Sequence, residues 1–366
     1  MFYKVTANHD NKGIDMLNQA RKSFLSLFVA ATVTGGIGYA EACSRILWET
    51  EDYGVFVSRT MDWFTPSNPT VEVRTKGQSY TGYDGEGALE WTSKYASIGM
   101  TAFGVGLVDG FNEVGFSANG LFLDEENVGE IDDSKKQIVN TRFIAYLLDS
   151  FATVEEALEV VEQLQVHQFG EGAHKLSGHY SLQDASGDSA IIEFVDGELS
   201  IFHGKEYKVM TNSPVYQQHL KNWEEVKPSN ANEYQGTFEL PGNVISSQRF
   251  IWNSYMSEQL KEPTSYTNGL AKLDSVTYKV PNDAANRVVD GEMTGYDTQY
   301  TLTYNLDQQI LNVRYQYQDT YTHYFVNFEE LNDGENYTLQ ADRADLFGDV
   351  TSEFKPSLGT MANYYQ

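Results

Sequence analysis

The 366-residue chain has a single cysteine, so no disulfide can form within it, and an unpaired thiol in an oxidising compartment is a liability unless it has a use. Proline is sparse, at 8 residues, and no proline-rich or glycine-serine linker divides the sequence. A single domain over residues 43–366 is therefore expected. Basic side chains are outnumbered, 25 against 52 acidic ones, giving a formal net charge of -27. A field of that sign argues against nucleic acid, which needs a basic footprint on phosphate, and against anionic membrane surfaces. The apolar run from Phe24 to Val33 is too short to span a bilayer, and no stable membrane anchor is expected. Phosphate-loop, dinucleotide and zinc signatures are absent. His174 and His179 stand five apart without a third ligand at usual spacing, so no metal or cofactor is expected. No long repeat points to a solenoid.

What is present begins with a leader. Arg21 and Lys22 form a basic flank to the apolar run, and small residues lead to Ala40-Glu41-Ala42, an A-x-A-like cleavage site. Residues 1–15 carry Lys4, Asp10, Lys12 and Asp15 and do not resemble an export signal, which makes Met16 the expected start. A lipidated cysteine is the competing reading, but Ala40 stands where such a box carries leucine, and Glu41 fits it poorly. Cleavage after Ala42 would deliver a periplasmic or secreted protein whose first residue is Cys43. Thiol and free α-amine would then sit on one residue as nucleophile and base. The amine has a reference pKa of about 8, so a useful neutral fraction accepts protons near neutrality. The plainer role for Cys43 is that of a small buried hydrophobe.

Beta patterning dominates the rest. Tyr53–Ser58 and Thr70–Thr75 alternate apolar and polar side chains. Ala96–Val108 is apolar and glycine-rich, with Asp109-Gly110 read as a turn before a strand near Gly115–Asn119. Further strands are expected at Tyr180–Gln183, Ala190–Phe194, Tyr207–Met210, Gln299–Tyr304, Ile310–Tyr317 and Thr322–Val326. Helical spacing marks Thr141–Asp149 and Ser247–Gln259. Between them, Thr153 and Glu156 form a capping box for a helix presenting Val154, Ala157, Leu158, Val161 and Leu164 to the core. This order predicts an α+β fold of packed sheets flanked by helices. Phe111, Phe116 and Phe122 read as core or pocket wall, and Trp63 and Trp91 as core or the lining of an apolar substrate cleft.

A hairpin of Ser44–Trp48 with Tyr53–Arg59 can return Arg59 beside Cys43, where a guanidinium stabilises a thiolate, while Asp62 is placed to orient the amine. Taken singly, Arg59 reads equally as a surface ion-pair member and Asp62 as a turn cap. With Arg59-Thr60-Met61-Asp62 following an apolar strand, the chain resembles the choloylglycine hydrolase and penicillin V acylase family of N-terminal-nucleophile hydrolases. The resemblance runs from Cys43 to about residue 330. It includes Asp109-Gly110-Phe111-Asn112-Glu113-Val114-Gly115 as the signature turn, Asn212 within Thr211-Asn212-Ser213-Pro214, and Arg249 within Ser247-Gln248-Arg249-Phe250 after Leu240-Pro241-Gly242.

The resemblance implies a four-layer αββα fold and hydrolysis of linear amides through an acyl-thioester. Catalytic roles fall to Cys43, Arg59, Asp62, Asn212 as oxyanion donor, and Arg249. Phe122 stands where many bile-salt hydrolases carry a second oxyanion asparagine, with Asn119 three positions earlier, so a backbone N–H at Phe122 is the expected substitute and Asn119 a support of the cleft. Trp63, Phe122 and Asn119 are the expected substrate contacts. The short segment from Asn212 to Leu240 resembles the Gram-negative branch and makes the family's homotetramer less certain. Penicillin V or N-acyl homoserine lactone acylase activity is expected ahead of bile-salt hydrolysis. A secreted, non-catalytic binding protein is the reading of another class.

Overall fold

The computed structural model describes residues 43–170, 175–228, 244–282, 287–289, 292–294 and 296–360. The leader and its cleavage site, His174 and Leu240-Pro241-Gly242 lie outside the described residues. The strands of the two large sheets are, in chain order, β1 (Ser44–Glu49), β2 (Val55–Trp63), β3 (Thr70–Arg74), β4 (Ser97–Ala102), β5 (Gly106–Asn112), β6 (Ser117–Leu121), β7 (His179–Gln183), β8 (Ser189–Val195), β9 (Glu198–His203), β10 (Val209–Thr211), β11 (Asp297–Asn305), β12 (Ile310–Tyr317), β13 (Thr320–Asn327), β14 (Tyr337–Gln340), β15 (Gly348–Asp349) and β16 (Lys355–Pro356). The main helices are α1 (Asn140–Ser150), α2 (Val154–Val161), α3 (Tyr216–Val226), α4 (Ser246–Glu258) and α5 (Tyr266–Val276).

One sheet has seven strands in the order β10-β1-β2-β11-β12-β13-β15, the other nine in the order β9-β8-β7-β6-β5-β4-β3-β14-β16. They pack face to face. Phe111, Leu121 and Ile191 of the nine-stranded sheet share a core with Val57, Tyr300 and Leu302 of the seven-stranded one. The alternate residues Ala118, Leu182, Ala190 and Ile192 face the other way, against Phe143, Ile144 and Leu147 of α1. Helices α4 and α5 cover the outer face of the seven-stranded sheet, where Phe250 and Leu273 are buried. The result is helix, sheet, sheet, helix, and the two-residue period of each strand decides which layer a side chain enters.

Two local expectations are corrected, and of the two readings of Trp91 the core one holds. Asp109-Gly110 is not a turn: both residues lie inside β5, with Asp109 opposite Asn119. The chain reverses at Phe103-Gly104, which adopt positive φ of 56 and 67 degrees, and again at Glu113–Gly115, where Gly115 has φ 81 degrees. A buried guanidinium partner, described below, keeps Asp109 in the sheet despite its turn-prone chemistry. Leu164 does not continue α2. The helix starts as its cap predicts, with the Thr153 side chain accepting from Glu156 N, but ends at Val161, and Leu164–His167 forms a strand parallel to Lys136–Val139. Trp91 is buried against Tyr80 and Tyr146 and donates through Nε1 to Asp149 at 2.9 Å, away from the cleft.

Candidate active site

Strand β2 is central in its sheet, between β1 and β11, and eight of its nine residues are buried. Alternation splits its polar side chains between layers. Arg59, Met61 and Trp63 face the space between the sheets, whereas Phe56, Thr60 and Asp62 face the helices. The β1–β2 hairpin sets Ser44 opposite Thr60 and Arg45 opposite Arg59, so Cys43 lies just past the paired residues. Its Sγ is 3.8 Å from the Asp62 carbonyl oxygen, and the residue is buried. On its other side, β1 pairs with β10 through Ser44 opposite Thr211, which brings Asn212 alongside.

The two arginines serve different faces. Arg59 lies between the sheets, its Nε 2.9 Å from Asp109 Oδ1, its Nη2 donating to the Gly120 carbonyl at 3.3 Å, and its guanidinium 5.5 Å from the Tyr300 ring centre. Burial works against its charge, but Asp109, with the Tyr300, Cys43 and Asp62 groups, more than offsets this and holds it protonated. Its Nη1 has no hydrogen-bond partner among the described residues. Arg249, on α4, approaches from the helix side. Nη2 donates to the Cys43 carbonyl at 3.2 Å and to Asn212 Oδ1 at 2.9 Å, Nε donates to Ser44 Oγ at 3.4 Å, and Nη1 donates to the Val244 carbonyl.

Asn212 is fully buried and held at both ends. With Arg249 on its oxygen, its Nδ2 donates to the Phe122 carbonyl at 2.8 Å, and its own carbonyl lies 2.7 Å from His219 Nε2. An amide nitrogen carries two hydrogens, and the Phe122 carbonyl takes one of them. Burial depresses His219 to about 4, so the neutral ring donates this bond through a protonated Nε2. Asp62 Oδ1 accepts from Thr298 Oγ1 at 2.5 Å and Oδ2 from Thr60 Oγ1 at 3.2 Å. Burial pushes its carboxyl up to about 7, against the pull of Arg249, Thr298, Arg59 and Thr60. Burial likewise pushes the Cys43 thiol up to about 11, with Arg59 and Arg249 lowering it and the Asp62 charge raising it. A thiol so placed stays protonated at neutral pH without a base of its own.

A cleft opens over Cys43. Arg59 is the sole charged side chain among its described lining residues, and Met61, Trp63, Phe103, Val108, Leu121, Phe122 and Tyr180 supply a mostly apolar wall. Trp63 packs against Phe103 and Phe122, each at 5.7 Å between ring centres. Asn119 does not line the cleft. It is buried beneath it, donating to Asp109 Oδ1 at 3.0 Å and Tyr304 OH at 3.2 Å and accepting from Gln183 Nε2 at 2.8 Å.

Residues 43–339 match the linear amide C–N hydrolases of the choloylglycine hydrolase family, a match that begins at the buried cysteine. The chain belongs to this family. Among its relatives, a penicillin V acylase from Pectobacterium atrosepticum is 32% identical over 272 residues, covering 70% of each chain. Among solved structures, penicillin V acylase from Agrobacterium tumefaciens superposes with a TM-score of 0.75 at 28% identity, covering 87% of this chain and 98% of that one. A conjugated bile acid hydrolase variant from Clostridium perfringens gives 0.69 at 22% identity, over 81% and 97%, a likeness of fold. This choloylglycine hydrolase family member thus has the α+β, four-layer fold of N-terminal-nucleophile hydrolases, and it is a linear amide hydrolase.

Sequence reasoning brought Cys43, Arg59, Asp62, Asn212 and Arg249 forward, and the fold gathers all five into one buried cluster, of which Cys43 and Arg59 line the cleft together with Trp63 and Phe122. It missed the residues that hold them. Thr60, two positions before Asp62 on the same strand face, was discoverable from alternation alone. Thr298, His219 and the Asp109 partner of Arg59 meet their targets only through sheet and helix packing.

Proposed function

We propose that this chain hydrolyses N-acyl amides bearing an apolar acyl group, in the manner of a penicillin V acylase or N-acyl homoserine lactone acylase, with Cys43 as nucleophile. Removal of residues 1–42 during export to the periplasm or beyond frees the α-amine that serves as base. The neutral amine takes the thiol proton, and sulfur attacks the amide carbonyl. Asn212 Nδ2 and a backbone N–H beside Phe122 hold the oxyanion. The resulting α-ammonium, oriented by Asp62, protonates the leaving nitrogen as the C–N bond breaks. Water, deprotonated by the same amine, then attacks the thioester and releases the acid and the thiol. Arg59 stabilises the thiolate, and Arg249 fixes Cys43 against Asn212.

The observation that carries this reading is the composition of the cleft, with the thiol and one guanidinium at its base and aromatic and aliphatic walls above. The chain's likeness to a penicillin V acylase at 32% identity supports penicillin V ahead of conjugated bile salts. The test is a panel of penicillin V, an N-acyl homoserine lactone and glycocholate, applied to processed wild type and Cys43→Ser. Turnover of either of the first two, lost in the variant, is expected. Efficient glycocholate cleavage with neither of the others would reverse the order, and no turnover of any would remove all three as substrates.

A further inference from the structure

The proposed oxyanion site is assembled from two layers. Asn212 follows β10 of the seven-stranded sheet, whereas Phe122, whose carbonyl accepts from Asn212 Nδ2, follows β6 of the nine-stranded one. Some tie between the layers must keep the two in register, and a buried one stands behind them. Glu193 on β8 and His179 on β7 are at most 2% exposed, and His179 Nδ1 lies 2.8 Å from Glu193 Oε1. Both Glu193 oxygens also accept from Tyr216 N, each at 3.0 Å, and Tyr216 is the first residue of α3. That helix has no side-chain cap at its N-cap residue, Val215, and no acidic residue in its first turn, so a carboxylate from another layer serves its N-terminus. One turn further on, His219 holds the Asn212 carbonyl at 2.7 Å and stacks on Phe250 at 4.8 Å between ring centres. His179 in turn stands opposite Leu121, the residue before Phe122.

We infer that Glu193, oriented by His179, is a positioning residue of the amidase: it locks α3 to the nine-stranded sheet and thereby sets Asn212 against the Phe122 backbone. The inference rests on the proposed role of Asn212 as oxyanion donor and adds what holds that donor in place. A buried carboxylate is costly unless its lone pairs are met, and here His179 and the shared Tyr216 N–H meet them. Because a carboxylate only accepts, His179 Nδ1 is the donor. His179 Nε2 has no hydrogen-bond partner among the described residues, so the polar contact of the ring is with Glu193. A second tie between the same segments, from Asp124 N to Ser213 Oγ at 3.0 Å, is exposed and competes with water. Glutamine at position 193 keeps the size but has one oxygen. Whichever way its amide turns, its NH2 group faces the Tyr216 N–H, donor against donor.

The test is kcat and KM of the processed enzyme for penicillin V, or for whichever of the other two panel amides wild type turns over. Glu193→Gln, His179→Leu and His179→Asn are compared alone and combined with Asn212→Ala, with urea midpoints to confirm that each variant is folded. Losing an oxyanion donor costs about 100-fold to 1000-fold in kcat, and Asn212→Ala should fall in that range. Glu193→Gln displaces the donor without removing it, so kcat should drop about tenfold while KM changes less than about twofold, the oxyanion being absent from the ground state. In the Asn212→Ala background the same substitution should cost less than about twofold more. His179→Asn keeps a nitrogen donor near the place of Nδ1 and should retain a higher kcat than His179→Leu. A kcat for Glu193→Gln within about twofold of wild type, or a loss that multiplies in full with that of Asn212→Ala, would overturn the latch and leave the role of Asn212 standing. Unchanged turnover by Asn212→Ala would remove that role and the inference together.

Discussion

Arg249 reaches back across 206 positions of sequence to donate from Nη2 to the carbonyl oxygen of Cys43 at 3.2 Å. The same nitrogen donates to Asn212 Oδ1 at 2.9 Å, so one planar group fixes the nucleophile's backbone and orients the proposed oxyanion donor. Lysine keeps the charge but not the fork. Charge-assisted hydrogen bonds contribute about 1.5–3 kcal/mol, so Arg249→Lys should lower kcat roughly 10- to 100-fold with a smaller change in KM. Steady-state kinetics within twofold of wild type would contradict this positioning role.

The Arg59–Asp109 pair lies wholly between the sheets, with both side chains at most 1% exposed. Removing one member of such a pair strands the other charge without solvent, at a cost of about 3–5 kcal/mol, whereas replacing both with apolar groups is far milder. Urea unfolding of Asp109→Leu should show a loss in that range, and the double variant with Arg59→Met a smaller one. A single-variant loss below about 1 kcal/mol would show that the pair does not hold Arg59 in place.

Asp62 gives a pH signature. Burial raises its folded-state pKa from 3.8 to about 7, so between these values the native state binds more protons than the unfolded chain. Stability then falls as pH rises through that window and levels off above it. With residues 1–42 still attached, so that no α-ammonium stands at Cys43, the wild-type chain should lose up to roughly 4 kcal/mol relative to Asp62→Asn between pH 4 and 7. Urea midpoints at a series of pH values measure the difference, and one that stays constant or grows across the window would contradict the burial of this carboxyl.

The β1–β2 hairpin was legible in the sequence because two apolar strands separated by a short turn admit few registers, and alternation then assigns Arg59 and Asp62 to opposite faces. Helix α2 was legible at its start, where a local cap decides, and not at its end, where Leu164 enters a strand pairing with Lys136–Val139. Asp109 misled because Asp-Gly is a turn signal whose meaning here is reversed by a partner on another sheet. Thr298 carries no local signal: its hydroxyl meets Asp62 across 236 positions, at a place where the β2–β11 register shifts. Helices α3 and α5 were also missed, their apolar faces being short, with three buried residues each. The five proposed catalytic residues were found through the order of their motifs, while their supports are products of tertiary packing.

The central claim is that processing makes Cys43 both nucleophile and base. Intact-mass spectrometry of rapidly quenched penicillin V or octanoyl-amide reactions tests it, comparing protein that begins at Cys43 with the same protein carrying one uncleaved residue before it. The account predicts an acyl adduct on the Cys43 peptide of the first protein, cleared by hydrolysis as turnover proceeds, and neither adduct nor turnover in the second. Equal turnover by the two proteins would contradict it.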